Sequence, residues 1–182
     1  PGVLTDDVAD LAIGLLLATS RRIVAAQKFI EQGGWQQSGF QWTRKVSGAR
    51  LGILGMGRIG QAIARRAQAF DMEIAYNDPK AHSQLPYRYV ADLTDLAAQS
   101  DFLMVCAPGG AGTRGLINQP VLEALGPQGM LINISRGSVV DEAALVQALE
   151  SGTLAGAGLD VFADEPHVPA ALQQRDNVVI TP

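Results

Sequence analysis

The stretch Arg50 to Gly60, reading Arg-Leu-Gly-Ile-Leu-Gly-Met-Gly-Arg-Ile-Gly, constrains what this chain can fold into more than any other. Leu51 to Leu54 is a short apolar run suited to a buried parallel strand, and Gly55, Gly57 and Gly60 come at its exit as G-x-G-x-x-G. Ile59, Ile63, Ala67 and Phe70 then recur at helical spacing, so a helix begins where the glycines end. Strand, glycine turn and helix in that order aim the first helical N–H groups and the positive end of the helix dipole at one point, which suits a phosphate. Gly55 permits the tight turn, Gly57 lets the backbone approach a diphosphate, and Gly60 lets the helix sit close on the sheet. In a chain with 20 glycines the triplet alone is a weak signal. Its place between a strand and a helix gives it weight.

The residues beyond that helix strengthen the signal. Glu73 to Asn77 reads as a second strand ending at Asp78, and an acid about twenty residues beyond the glycines accepts hydrogen bonds from an adenosine ribose while repelling a 2′-phosphate. That favours NAD, with NADP possible because Lys80 stands two residues on. The alternative is that Asp78-Pro79 only opens a turn.

Beyond residue 50 the strand and helix patterns alternate. Tyr87 to Val90 is a minor strand, Leu93 to Gln99 a helix, Phe102 to Ala107 a strand, Pro120 to Leu125 a helix and Met130 to Ile134 a strand. Glu142 to Glu150 is a helix capped by Asp141 and closed by Gly152, and Gly156 to Val161 and Val178 to Ile180 are the last strands. The pattern predicts an α/β fold, a doubly wound parallel sheet of Rossmann type with helices on both faces. With 182 residues, 47% of them hydrophobic, there is material for one well-packed domain over 1–182 and not comfortably for two.

Ahead of the first strand, 1–48 reads as an interdomain helix followed by a dimerisation arm. Thr5 is the expected cap of a helix with Asp6 and Asp7 in its first turn. Leu11, Gly14, Leu15 and Ala18 form its stripe, widened by Leu16 and Leu17, which predicts burial on more than one side. A second helical run stops at Gly33-Gly34. The irregular segment Trp35 to Val46 carries both tryptophans, which either anchor a subunit contact or fold back on their own domain.

A formal charge of −4 without basic runs argues against nucleic acid as a partner. The single cysteine, Cys106, excludes a disulfide framework and suits a reducing, cytoplasmic setting. The longest apolar segment, Val8 to Ala18, holds Asp10 and is too short to span a bilayer, so no membrane role is expected. No metal is expected either. The chain begins at Pro1 and stops at Thr181-Pro182 directly after a strand, which reads as a piece of a longer protein.

In an open parallel sheet, ligands bind beyond the carboxyl ends of the strands. Pro108-Gly109-Gly110, Ser135-Arg136-Gly137, Asp160 and Asp164-Glu165-Pro166 all meet that rule. Arg136 could present a fork to a substrate carboxylate, or be a surface residue. Asp160 could face a nicotinamide carboxamide, or merely end its strand. Glu165 could tune an imidazole. Of the two histidines, His82 lies at the presumed adenosine end, and His167, two residues from Glu165, would point to the opposite face of an extended segment.

With these residues in view, the chain resembles the cofactor-binding domain of the D-isomer-specific 2-hydroxyacid dehydrogenases. The resemblance rests on Val8-Ala9-Asp10, on Leu51 to Gly60, on Asn133-Ile134-Ser135-Arg136-Gly137-Ser138-Val139-Val140-Asp141, and on Gly158-Leu159-Asp160-Val161-Phe162 through Glu165-Pro166. It implies a substrate-binding catalytic role for Arg136 and, for Glu165, partnership with a catalytic histidine that would directly follow Thr181-Pro182. It also implies a dinucleotide held by Gly55, Gly57, Arg58, Ile59, Gly60, Asp78, Pro108, Gly109, Thr113, Ile134, Ser135, Arg136 and Asp160. The family's substrate domain is absent. Pro108-Gly109-Gly110, in place of the commoner Pro-Leu-Thr, looks like a glyoxylate/hydroxypyruvate reductase-like subgroup. Many members of that subgroup use NADP with an arginine where Pro79 stands here. The implied activity is hydride transfer between a nicotinamide cofactor and a small 2-hydroxy or 2-keto acid, in a homodimer. The same resemblance extends to NAD-sensing corepressors, and an orphan nucleotide-binding module would leave Arg136 and Glu165 unexplained.

Overall fold

The computed structural model describes residues 2–182; Pro1 lies outside the described residues. Seven strands, β1 (Arg50–Leu54), β2 (Glu73–Asn77), β3 (Arg88–Tyr89), β4 (Phe102–Val105), β5 (Met130–Asn133), β6 (Gly156–Leu159) and β7 (Val178–Ile180), form one sheet. All neighbours are parallel, in the order β3-β2-β1-β4-β5-β6-β7. The order reverses between β1 and β4, and the crevice at such a reversal is where doubly wound sheets bind ligands.

The helices are α1 (Thr5–Ser20), α2 (Ile23–Glu31), α3 (Arg58–Gln68), α4 (Leu93–Ala98), α5 (Gln119–Leu125), α6 (Glu142–Ser151) and α7 (Ala170–Gln173). Strand residues feed two cores by turns, because successive side chains point to opposite faces. Leu54, Leu103, Val105, Leu131, Ala157 and Leu159 pack with α4, α5 and α6. Leu51, Ile53, Phe102, Met104, Met130 and Ile132 pack with α1 and α3. The near-continuous apolar strands are what a sheet covered on both faces requires.

Caps fix several helix starts. Asp141 accepts from the Ala144 amide at 3.1 Å, as the sequence predicts, and Gly152 closes α6 in the left-handed region. Asp92 and Asn118 do the same for α4 and α5 at 2.9 and 3.2 Å. Thr5 does not cap α1: it lies inside the first turn, Leu4 holds the cap position, and no side chain caps the end. The buried stripe of α1 is also rotated from expectation. Ala9, Ala12, Leu15, Leu16, Thr19 and Ser20 are covered, while Leu11 and Gly14 are exposed, because the smaller residues allow the close approach to α3 and the sheet. Asp6 and Asp10 serve a different end, pairing with Arg66 of α3 at 3.2 and 2.7 Å.

The segment after α1 is held by its own contacts. Phe29 and Phe40 stack at 5.3 Å, Arg22 lies over Phe40, and Arg44 returns the chain to the sheet through Asp101. Trp35 sits in a single 3-10 turn, Gly34–Gln36. Trp35 is 69% and Trp42 101% exposed, so neither folds back on this domain.

Candidate active site at the carboxyl edge of the sheet

Strand register brings the candidate residues together. Leu54 lies beside both Asn77 and Val105, Val105 beside Asn133, Asn133 beside Leu159, and Leu159 beside Ile180. The residues that leave these strands, Gly55, Asp78, Cys106, Ile134, Asp160 and Thr181, therefore line one edge.

At the crevice, Gly55 turns with φ +94°, and a Cβ there would lie 2.8 Å from the Ala107 amide nitrogen. A Cβ on Gly60 would overlap the Gly55 carbonyl oxygen, so α3 approaches β1 only through glycine. Gly57 is different: its backbone is extended and a Cβ would meet no protein atom within 4 Å. No side chain caps α3, so its opening amides face a space from which a side chain is missing, the arrangement an anionic ligand needs. Arg58 is exposed and Ile59 half-buried at this opening, Ile59 packing toward the α1 and α3 core. These features fit a dinucleotide diphosphate.

One strand over, Asp78 follows β2 and is half-buried. The sequence leaves its partner unseen. His82 Nε2 lies 2.5 Å from Asp78 Oδ2, the His82 amide donates to Tyr76 Oη at 2.7 Å, and Tyr89 Oη donates to the Asp78 carbonyl at 2.9 Å. Spacing four residues apart was the available signal; Pro79 hid it by suggesting a plain turn.

On the other side, Pro108 and Gly109 follow β4, with the Thr113 hydroxyl donating to the Pro108 carbonyl at 2.5 Å. A Cβ on Gly109 would lie 3.0 Å from Arg136 Cγ, so the stem of this arginine rests on the loop beside the glycine turn. The Arg136 side chain is exposed and donates to the Ser135 carbonyl at 2.6 Å. Ile134 is 5% exposed and belongs to the core, which leaves only its main chain for a ligand. Asn133 is a brace without an assigned role in the sequence: buried, it donates to the Arg136 carbonyl and accepts from the Ser135 amide and hydroxyl, all at 3.1 Å. A polar residue closing an apolar strand was its only mark.

The loop after β6 is built against this one. A Cβ on Gly137 would overlap the Phe162 main chain, and Glu142 accepts from the Ala163 amide at 2.9 Å. Asp160 accepts from the Thr181 hydroxyl at 2.7 Å, tying the ends of β6 and β7. Glu165 is exposed and accepts from the Phe162 amide at 3.0 Å. Asp160, Phe162, Glu165 and Thr181 border a largely apolar cleft of ≈ 640 Å³. His167 is exposed and 3.9 Å from Asp164, so it is not paired with Glu165. Burial pushes the Cys106 thiol well above its usual range.

The family model of the D-isomer specific 2-hydroxyacid dehydrogenase, NAD binding domain, matches residues 13–182. The chain belongs to that family. It is 51% identical over 182 residues to a hydroxyphenylpyruvate reductase of Plectranthus scutellarioides, and 45% identical over 191 to a glyoxylate reductase of Pyrococcus horikoshii. Among solved structures it is similar to an NADPH-dependent glyoxylate/hydroxypyruvate reductase of Sinorhizobium meliloti in complex with NADP and malonate, at 49% identity and a TM-score of 0.95. Each match covers the whole chain, which spans 57–58% of those relatives' length. The match is to that family's NAD binding domain, and the similarity to reductases weighs against the corepressor alternative. Among the described residues, no helix is long and apolar enough to cross a membrane, and no cluster of His, Cys, Asp or Glu could hold a metal.

Proposed function

We propose that the full-length protein is an oxidoreductase that interconverts a small 2-keto acid and its 2-hydroxy acid, of the glyoxylate or hydroxypyruvate kind. The observation that supports this most is the stem of Arg136 against Gly109, on the same edge as the opening at Gly57. A carboxylate-binding fork and a diphosphate cradle thus share one crevice. The bound nicotinamide supplies the hydride. The chain's own residues do the rest. The amides opening α3 hold the diphosphate, Asp78 takes the ribose hydroxyls and favours NADH, and Pro108, Gly109, Thr113, Ile134, Ser135 and Asp160 line the dinucleotide. Arg136 binds the keto acid's carboxylate and withdraws charge from the adjacent carbonyl.

Neither histidine of this chain is placed to donate the proton. His82 is committed to Asp78, and His167 faces Asp164. The donor is a histidine from the remainder of the protein, with Glu165 stabilising its charged form. The exposed apolar residues of 23–42, Ile23, Val24, Ile30, Trp35 and Trp42, support a homodimer formed through this arm. A lone half-buried cysteine is compatible with a cytoplasmic location.

The test is a keto-acid panel on the full-length protein with both NADH and NADPH. Glyoxylate and hydroxypyruvate should turn over, and Arg136→Lys should lower kcat/KM by about a hundredfold or more. No turnover of any keto acid with either cofactor would sink the proposal.

A further inference from the structure

The Asp78 carboxylate is not a bare charge. One oxygen, Oδ2, is taken by His82 Nε2 at 2.5 Å, while Oδ1 accepts no hydrogen bond from the described residues. Both side chains are mostly shielded, at 21% and 28% exposure. His82 and the turn that carries it are held at three points. The His82 backbone amide is tied to the Tyr76 hydroxyl, its ring meets the Tyr76 ring edge-on at 5.8 Å, and the Asp78 carbonyl is held by Tyr89 from β3. Asn77 donates to the Val90 and Ala91 carbonyls at 2.9 and 3.1 Å, so the turn leaving β2 is clamped to the strand beside it. A loop whose only task was to reverse the chain would not need an imidazole aimed at the one acid of the adenosine end.

We propose that His82 is a specificity-determining residue for the cofactor, acting through Asp78; this rests on the reading of Asp78 as the ribose acid. The imidazole orients the carboxylate so that Oδ1 is presented to the ribose. It also sets the charge that a 2′-phosphate meets. With a neutral imidazole donating through Nε2, the pair carries one negative charge and rejects NADPH. With a protonated imidazole the pair is neutral, and the exposed Lys80 in the same loop becomes the dominant charge beside the ribose. The groups facing the imidazole are Asp78 at the end of β2, Tyr76 within it and Tyr89 across on β3 only through the Asp78 carbonyl. A charge gained or lost at residue 82 thus shifts the choice between NADH and NADPH, and histidine is the side-chain type through which pH can do this.

Calorimetric titration of NADH and NADPH into the full-length protein tests this, from about pH 5.5 to about pH 8.5, with wild type, His82→Gln and Asp78→Asn. The 2′-phosphate itself titrates over this range, and His82→Gln, which keeps a donor and loses the charge, carries that background alone. On acidification the ratio Kd(NADPH)/Kd(NADH) should fall about tenfold further in wild type than in His82→Gln. Asp78→Asn should lower the ratio at the alkaline end, where the pair is charged. An identical pH course in wild type and His82→Gln overturns the proposal. Failure of either dinucleotide to bind the wild type overturns the ribose reading as well, and is distinguishable from tight binding with a ratio indifferent to residue 82.

Discussion

Gly57 and Gly60 stand three residues apart and do opposite work. Gly60 is needed by the protein, since a Cβ there would enter the Gly55 carbonyl; a Cβ on Gly57 would meet nothing of the protein, and on the proposed reading that space belongs to a ligand. Gly60→Ala should therefore lower stability by about 1–3 kcal/mol, read from the urea midpoint. Gly57→Ala should cost about 1 kcal/mol, since glycine is a better N-cap than alanine, and yet raise the NADH Kd by about tenfold or more, since about 1.4 kcal/mol of lost contact suffices. Equal destabilisation by both, with NADH binding retained, would contradict this division. The positions of these glycines were readable from spacing alone. The pairing of Asp78 with His82 was not, because its one mark, a four-residue spacing, does not mean a contact in a proline-containing loop.

Among the elements, the starts of β1 and β4 are joined at the edge opposite the site. Asp101, ahead of β4, takes Arg44 at 2.6 Å, the Arg50 side chain at 3.0 Å and the Arg50 amide at 2.8 Å. Burial pushes this carboxyl's pKa up, but the Arg50 hydrogen bonds and the charges of Arg44 and Arg50 outweigh it and hold the pKa below the usual range. A carboxyl with a depressed folded-state pKa contributes stability that is complete above its unfolded pKa and lost as pH falls through the folded one. Asp101→Asn should thus cost about 1–3 kcal/mol at neutral pH, and the gap to wild type should close below about pH 4. Chemical denaturation at the two pH values reads it; a gap that persists in acid would assign the loss to packing. Arg44 belongs to the arm, so this one acid fastens the arm to the sheet. The strands and most helices were legible because apolar runs and caps are local signals. The four-residue α7 and the rotation of α1 were not: the first is too short to show a period, and the second depends on which stripe of small residues reaches β5 and β6.

For the molecule as a whole, the apolar surface left open is uneven. Among the described residues, eight large exposed hydrophobics, from Val3 to Trp42, precede β1, and only Ile180 lies beyond it. An exposed apolar surface of this kind supports the proposed interface between two copies of the arm. Sedimentation velocity should show the full-length protein as a dimer, and Trp42→Asp should shift it toward monomer while α/β circular dichroism is retained. A wild type that sediments as a monomer would refute the arm's role. The carboxyl edge, by contrast, carries the ≈ 640 Å³ cleft bordered by Asp160, Phe162, Glu165 and Thr181.

The sequence by itself determined the order of strands and helices, the glycine turn, and which residues leave the strands, since each follows from apolar period, turn chemistry and spacing along the chain. Tertiary structure decided what those residues touch. Register placed Gly55, Asp78, Ile134 and Asp160 on one edge; Gly109 and Gly137 let Arg136 and the Phe162 loop close on their neighbours; and the fold turned His82 onto Asp78. Such contacts depend on distances between segments far apart in the chain, and no local pattern encodes a distance.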